Sequence, residues 1–262
     1  MRIKDITTHL ESIAPAHLQE SYDNAGLIVG HPDTEVTGVL TSLDCTEDII
    51  AEAKARGCNM VVAHHPIVFR GLKRFNGNDY VERTVIKAIK EDVAIYAIHT
   101  NLDNVRHQGV NERIAQRLGL ENLRLLGPKN EEQTIGSGMV GDLPAGMQEH
   151  DFLGHLKTTM EASVVKHTKL LGQEVKTVAL CGGAGGFLLR QAKKAGAQVF
   201  VTSDYKYHEF FDADGEIIIC DIGHYESEQF TTQLLAELLT KKFPTFAVLC
   251  TELTTNPVSY FV

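Results

Sequence analysis

Two stretches far apart in this chain carry one pattern, and that repetition constrains the fold more than any other feature of the sequence. Ala53-Lys54-Ala55-Arg56-Gly57-Cys58-Asn59-Met60-Val61-Val62-Ala63 reads as a helix end, a capping glycine and an apolar strand. Ala192-Lys193-Lys194-Ala195-Gly196-Ala197-Gln198-Val199-Phe200-Val201-Thr202 reads the same way. The first strand leads into His64-His65 and the second, in the same register, into Ser203-Asp204. One strand later the parallel continues. His99-Thr100-Asn101-Leu102-Asp103 and His224-Tyr225-Glu226-Ser227-Glu228 are both His-x-x-x-carboxylate directly after an apolar run. A duplicated α–β motif accounts for both coincidences.

The surrounding periodicity agrees with an α/β chain. It predicts helices over residues 4–14, 46–56, 79–91, 109–118 and 148–161, one ending near Ala195, and a long one over 225–242. Between them it predicts strands at 27–29, 36–43, 59–63, 93–98, 135–142, 163–168, 175–181, 197–202, 216–222 and 245–253. Thr46 is the expected N-cap of the second helix. The polar, turn-rich stretch at 127–132 is the best domain boundary.

Composition narrows the function. The chain of 262 residues carries 25 Lys and Arg against 34 Asp and Glu, a net charge of −9. That balance argues against a nucleic-acid partner, because phosphate affinity needs clustered cations. A charged partner would need a local basic patch or a metal. The five cysteines are widely spaced with no C-x-x-C, so neither a disulfide framework nor a zinc–thiolate site is expected. No apolar run is long enough to cross a bilayer, and Met1-Arg2-Ile3-Lys4-Asp5-Ile6 opens no secretory signal. A cytoplasmic protein with no membrane partner is the expectation.

Twelve histidines stand out against the five cysteines. In α/β sheets ligands gather beyond the carboxyl ends of strands. His64, His65, His99, Asp103 and His224 all follow predicted strands. Adjacent histidines on an extended segment point to opposite sides, so His64 and His65 suit two metals, or one metal and one supporting hydrogen bond. His224 and Glu228 share a helix face at i and i+4. Either pair alone is compatible with ordinary strand-end or helix-start packing. Repetition at equivalent strand ends favours metal. Imidazole and carboxylate without thiolate suit Zn, Mn, Fe, Co or Ni. Asp103 or Glu228 has two oxygens with which to bridge two ions. The run Gly182-Gly183-Ala184-Gly185-Gly186 follows a strand and opens a helix. Its backbone donors at Gly183 and Gly185 are candidates for cradling a phosphate, with a tight packing turn as the alternative. Ser203, Asp204 and His208 are candidate lining residues of the same cavity. His107, His150, His155 and His167 lie outside strand-end context and read as surface or packing groups.

Asp23-Asn24-Ala25-Gly26-Leu27, Ala63-His64-His65-Pro66, His99-Thr100-Asn101-Leu102-Asp103, Cys181-Gly182-Gly183-Ala184-Gly185, Thr202-Ser203-Asp204 and His224-Tyr225-Glu226-Ser227-Glu228 occur in this order. On that ordered set the chain resembles, over its whole length, the YbgI-like dinuclear metal-centre proteins. These are also called GTP cyclohydrolase I type 2 homologues and are NGG-interacting-factor-like. The resemblance implies two intertwined α/β domains with a duplicated motif and mixed sheets. In that division residues 1–126 plus 210–262 form the first domain, with most of the ligands, and 127–209 the second. It implies a ring-shaped homohexamer built from dimers and a two-metal site between domains. Carried over by position, the ligands are His64, His65, Asp103, His224 and Glu228, with His99 a further ligand or a supporting partner. Two departures are visible: Tyr22 stands where relatives often have Trp, and the Thr-Gly-acid pattern reads Thr202-Ser203-Asp204.

The expected function is a dinuclear metal-dependent hydrolase, with activated water attacking a nucleotide or a related heterocycle. For GTP, hydroxide would attack the imidazole carbon of guanine and release formate. Glu226 and His99 are the candidate proton relays. The rival reading is a metal-binding hexameric scaffold without catalysis. Metal-centred redox chemistry and phosphoester hydrolysis are compatible with the same ligands.

Overall fold

A computed structural model describes residues 1–261. The chain divides into two compact units. The first comprises Met1–Leu102 and Thr231–Ser259, and the second Asp103–Phe230 with the C-terminal residues from Tyr260. The chain thus leaves the first unit, builds the second and returns. The architecture is α/β with two mixed sheets.

The first unit holds a five-stranded sheet of β1 (Gly26–Val29), β2 (Val39–Ser42), β3 (Met60–Ala63), β4 (Ala94–Ala97) and β11 (Val248–Cys250), in the order β1-β4-β3-β2-β11. All are parallel except β1, which runs antiparallel to β4. Every residue of β2, β3 and β4 is buried, as expected of parallel strands covered on both faces. On one side α2 (Glu47–Ala55) and α3 (Tyr80–Glu91) set Ile49, Ile50, Ala53, Val85 and Ala88 against Leu40, Val61 and Ile95. Helices α1 (Ile3–Ile13) and α9 (Thr231–Lys242) pack on each other, and α9 also packs on β2 and β11. Thr46 caps α2 as expected, its hydroxyl accepting from Ile49 N–H.

The second unit holds six strands: β5 (Glu121–Pro128), β6 (Gly136–Gln148), β7 (Lys166–His167), β8 (Glu174–Leu180), β9 (Val199–Thr202) and β10 (Ile218–Asp221), in the order β5-β6-β8-β9-β10-β7. Strands β8, β9 and β10 are parallel and the others antiparallel to their neighbours. The short α7 (Leu189–Lys194) packs Leu189 and Ala192 into a cluster with Ala179, Phe200 and Ile219. Helices α5 (Val110–Arg117) and α6 (Glu149–Thr159) also contact this sheet.

The repeat is real at the level of structure. Strands β2-β3-β4 and β8-β9-β10 are parallel triplets in the same order, each with an antiparallel strand beyond its third member. Gly57 and Gly196 close the equivalent helices and both sit at φ +74°, a left-handed conformation that favours glycine. After the third strand of each triplet comes one short helix: α4 (Thr100–Asp103) or α8 (His224–Glu228).

Three expectations are revised. The polar stretch at 127–132 is not a boundary. Glu121–Pro128 pairs with β6, and the stretch leads into the turn of that hairpin. The Asn130 carboxamide oxygen accepts from Thr134 and Ile135 N–H there, so polarity reflects turn chemistry. The compact units accordingly change at 102/103 and 230/231, not at 126/127 and 209/210. The long helix expected over 225–242 is two helices, α8 and α9. Within the second unit Phe230, just past α8, lies under the Arg117 guanidinium at 3.4 Å.

Glu149 illustrates how the second unit pins its loops. It is 6% exposed, and its carboxylate accepts from Leu171, Gly172 and Gln173 N–H at 2.9–3.0 Å. Burial alone would raise its pKa, but the three backbone donors outweigh that and hold it below its ordinary 4.5. A lowered folded-state pKa stabilises above the unfolded value, and that contribution fades as pH falls through the folded one. Glu149→Ala is expected to lower unfolding free energy by roughly 2–4 kcal/mol at neutral pH. The gap from wild type should shrink below pH ~4. Urea unfolding at pH 7 and pH 3.5 measures both values, and a gap independent of pH would contradict the assignment.

Candidate metal centre

In the first unit the histidines arise where parallel strands end. The chain leaving β3 is held by His64 N–H donating to Leu43 O (3.1 Å) and His65 N–H donating to the same oxygen (2.9 Å). His99 follows β4 by two residues. The three rings converge, with centroids 4.9 Å apart for His64 and His65 and 5.3 Å from each to His99. One nitrogen of each ring lies within 4.8 Å of one nitrogen of both others.

What each Nδ1 touches decides the chemistry. His64 Nδ1 lies 2.8 Å from Ile98 O, His65 Nδ1 2.8 Å from Asp44 Oδ1, and His99 Nδ1 2.7 Å from Asp23 Oδ1. All three partners are acceptors, so each Nδ1 carries the proton and donates it. The lone pair then belongs to Nε2. This is the arrangement in which imidazole is oriented and made more basic for a metal. The acceptors are themselves fixed. Asp23 also takes Thr100 N–H at 3.0 Å and the Thr100 hydroxyl. Burial would raise the Asp23 pKa, but its hydrogen bonds to His99 and Thr100 prevail and bring it to about 2. Asp44 also accepts from the Thr255 hydroxyl at 2.6 Å, and burial of its carboxyl is likewise overcome by His65 and Thr255, leaving its pKa lowered.

In the second unit α8 places His224 and Glu228 one turn apart, with His224 Nε2 3.1 Å from Glu228 Oε2. His224 Nδ1 lies 2.6 Å from Asp204 Oδ2. Asp204 follows β9 with φ +58°, a conformation uncommon for a residue with a side chain. Asp103 and Glu228 offer carboxylate oxygens within 4.8 Å of each other. Burial pulls the His224 pKa down, but hydrogen bonds to Asp204 and Glu228 and their charge push it up to about 11. The protonated ring therefore sets one nitrogen against each carboxylate, Nδ1 against Asp204 and Nε2 against Glu228.

The glycine-rich turn serves this arrangement. Gly182 N–H donates to Asn111 Oδ1, Gly183 N–H to Ser227 Oγ and Gly185 N–H to Thr202 Oγ1, each at 2.9 Å. The candidate phosphate donors Gly183 and Gly185 are thus occupied inside the fold. Gly183 sits at φ +60°, and a Cβ there would lie 2.6 Å from Glu228 Oε1 and 3.2 Å from His224 Cε1. Glycine at this position lets the carboxylate and imidazole lie directly against the turn.

Other sequence candidates fall elsewhere. Glu226 is buried with its carboxylate over Gly223, on a different side of α8 from Glu228. Ser203 is buried and, with Asp204, lines a cavity of about 780 Å³ that also includes Ala184, Gly186, Phe187 and Arg190. His208 is exposed in an aromatic group with Tyr207 and Phe211. Asp23, Asp44 and Asn111 were not singled out from the sequence as site residues. Asn111 bridges the glycine turn to the main chain of Asp103, donating to its carbonyl at 3.1 Å. Asp44 directly follows a strand, the same signal that marked His64.

The fold and these donor sets define a duplicated α/β protein with histidine–carboxylate clusters of the kind that bind divalent cations. The chain belongs to the Duf34/NIF3 (NGG1p interacting factor 3) family, whose model matches residues 1–257. Among its relatives is a protein of Clostridium perfringens named GTP cyclohydrolase 1 type 2 homolog, 33% identical over 87% of both chains. A protein of the same name from Lactococcus lactis is 33% identical over 91% of both. The fold superposes on a crystal structure of a Staphylococcus aureus hypothetical protein with a TM-score of 0.93, at 32% identity, over 100% of this chain and 99% of that one. A Bacillus cereus protein related to NIF3 gives 0.93 at 25% identity, with the same coverage. No helix among the described residues is long and apolar enough to cross a membrane.

The His224 pairing has a sign that titration reads. With its folded-state pKa raised, protonated His224 stabilises metal-free protein fully below about pH 6.5, and that contribution is lost as pH rises toward about 11. Asp204→Asn removes one carboxylate and should bring the His224 midpoint down, as followed by its Cε1–H resonance in chelator-treated protein. An unchanged midpoint would show that Asp204 does not hold the ring.

Proposed function

We propose that the protein is a metal-dependent hydrolase in which His64, His65, His99, Asp103, His224 and Glu228 hold two divalent cations. The observation that carries this is the common hydrogen-bond geometry of His64, His65 and His99. Each Nδ1 lies against a backbone or carboxylate acceptor, and the three rings converge on one cluster, which supports Nε2 as the ligand atom of each. The donor chemistry fits Zn, Mn, Fe, Co or Ni. A bound divalent cation supplies Lewis acidity and makes water a competent nucleophile near neutral pH.

The protein's own groups do the rest. Asp23, Asp44 and the Ile98 carbonyl hold three imidazoles in one tautomer and one orientation. Asp204 does the same for His224. Asp103 and Glu228 bring negative charge that offsets bound cations. His99, as a ligand, and Glu226, whose carboxylate lies over Gly223, take no proton-relay role. A structural metal site is closed, whereas a catalytic one keeps access. His65 lines a cavity of about 700 Å³, which favours an enzyme over a scaffold. The names of the relatives support hydrolytic opening of a nucleotide heterocycle as the reaction, with formate released from GTP. The homohexameric ring implied by the resemblance belongs to the same proposal, and light scattering on the purified protein measures it.

Elemental analysis of purified protein is expected to show about two divalent ions per chain. The double variant His64→Ala, Asp103→Ala should lose most of that metal while keeping its circular dichroism spectrum. Gly183→Ala should lower metal content as well, because its Cβ collides with Glu228. Wild-type metal in the double variant would remove the site assignment. Metal-loaded wild type that releases no formate from GTP would remove that substrate and leave the site standing.

A further inference from the structure

Residues 66–78, Pro66-Ile67-Val68-Phe69-Arg70-Gly71-Leu72-Lys73-Arg74-Phe75-Asn76-Gly77-Asn78, contain three cations and no acid in a chain of net charge −9. They are the local basic patch that the overall composition lacks. They begin immediately after His65. Arg70, Lys73 and Arg74 are exposed and none pairs with an acid among the described residues. Phe69, Phe75 and Tyr80 are exposed too, at 45%, 58% and 61%, which for large aromatics standing beside cations calls for an explanation.

The segment is a built platform. Asn24 Nδ2 donates to Val68 O at 2.6 Å and holds its start. The buried carboxylate of Glu82 accepts from Asn76 and Asn78 N–H at 3.2 and 2.9 Å and holds its end. Ile67, Val68 and Leu72 pack into the core cluster beneath. This anchoring leaves Phe69 and Arg70 on the wall of the 700 Å³ cavity that also includes His65, Leu72 and Tyr80. Its two carboxylates are already engaged inside the fold. Asp44 receives His65 and Thr255, and Asp79 caps α3 by accepting from Glu82 N–H. Arg70 supplies the positive charge on the cavity wall and pairs with neither carboxylate.

We propose that this cavity binds a nucleoside phosphate of mononucleotide size, with its base against Phe69 and Tyr80 and its phosphate on Arg70. Aromatic faces accept any base by stacking. A guanidinium matches phosphate in two-point geometry. The volume lies in the range of single small-molecule sites, which selects a mononucleotide over a strand of nucleic acid. The inference deepens the hydrolase reading, since it rests on His65 being a metal ligand for its placement at a reactive centre. It also moves phosphate recognition from the glycine-rich turn, whose donors are occupied, to the segment after His65.

The test is calorimetric titration of the full chain with GMP, AMP, guanosine and ribose 5-phosphate, before and after chelation of metal. Wild type should bind a nucleoside monophosphate in both states. Arg70→Ala should weaken that binding at least tenfold while leaving guanosine affinity and metal content unchanged, and Arg70→Lys should recover part of the loss. Phe69→Ala should weaken guanosine and not ribose 5-phosphate. The inference is overturned if neither monophosphate binds, if Arg70→Ala leaves GMP affinity intact, or if only an oligonucleotide binds. It is also overturned if an Arg70→Ala, Lys73→Ala, Arg74→Ala triple variant changes only the oligomeric state. Metal content is read separately, so failure of the metal assignment is distinguished from failure of the nucleotide site.

Discussion

Burying both faces of three parallel strands drives the polar chemistry of this protein to the strand ends. Residues such as Val61, Val62, Ile95, Phe200 and Ile219 have no exposed face on which to carry a polar neighbour. The site side chains gather just past the strands: His64 and His65 directly after β3, His99 two residues after β4, Asp204 two after β9 and His224 three after β10. Because the strands of each triplet are parallel, their carboxyl ends lie side by side. Groups separated by tens of residues are therefore delivered together without any long-range design beyond strand order.

The same geometry supplies the groups that orient the imidazoles. Asp44 lies two residues past β2, which runs parallel beside β3, and so reaches His65. Asp23 precedes β1, whose antiparallel run places its beginning beside the end of β4, and so reaches His99. Asp204 lies two residues past β9, which runs beside β10, and reaches His224. Three carboxylates from three topologically different positions thus act alike, each accepting from the Nδ1 of one imidazole. The orientation of each ring is thus fixed by the scaffold itself.

The glycine-rich turn does not have the role that its sequence suggests. Gly182, Gly183 and Gly185 look like a phosphate loop, yet their N–H groups are consumed by Asn111, Ser227 and Thr202. What glycine provides at 183 is room for Glu228. The segment after His65 attracts little notice in a chain that is acidic as a whole, because net charge averages away a local excess.

The sequence by itself determined the α/β class, the duplication and the spacing of His-x-x-x-carboxylate, because these depend on local periodicity and on residues close along the chain. The His224–Glu228 pair needed only one helical turn to be recognised. Tertiary structure alone decided that the stretch at 127–132 belongs to a hairpin, since a turn and a linker share one composition. It alone decided that Glu226 lies over Gly223 and that Asp23 and Asp44 serve histidines 76 and 21 positions away. Those contacts follow from which strand lies beside which, and strand order is set by how the whole sheet buries its two faces, a property no local window of sequence contains.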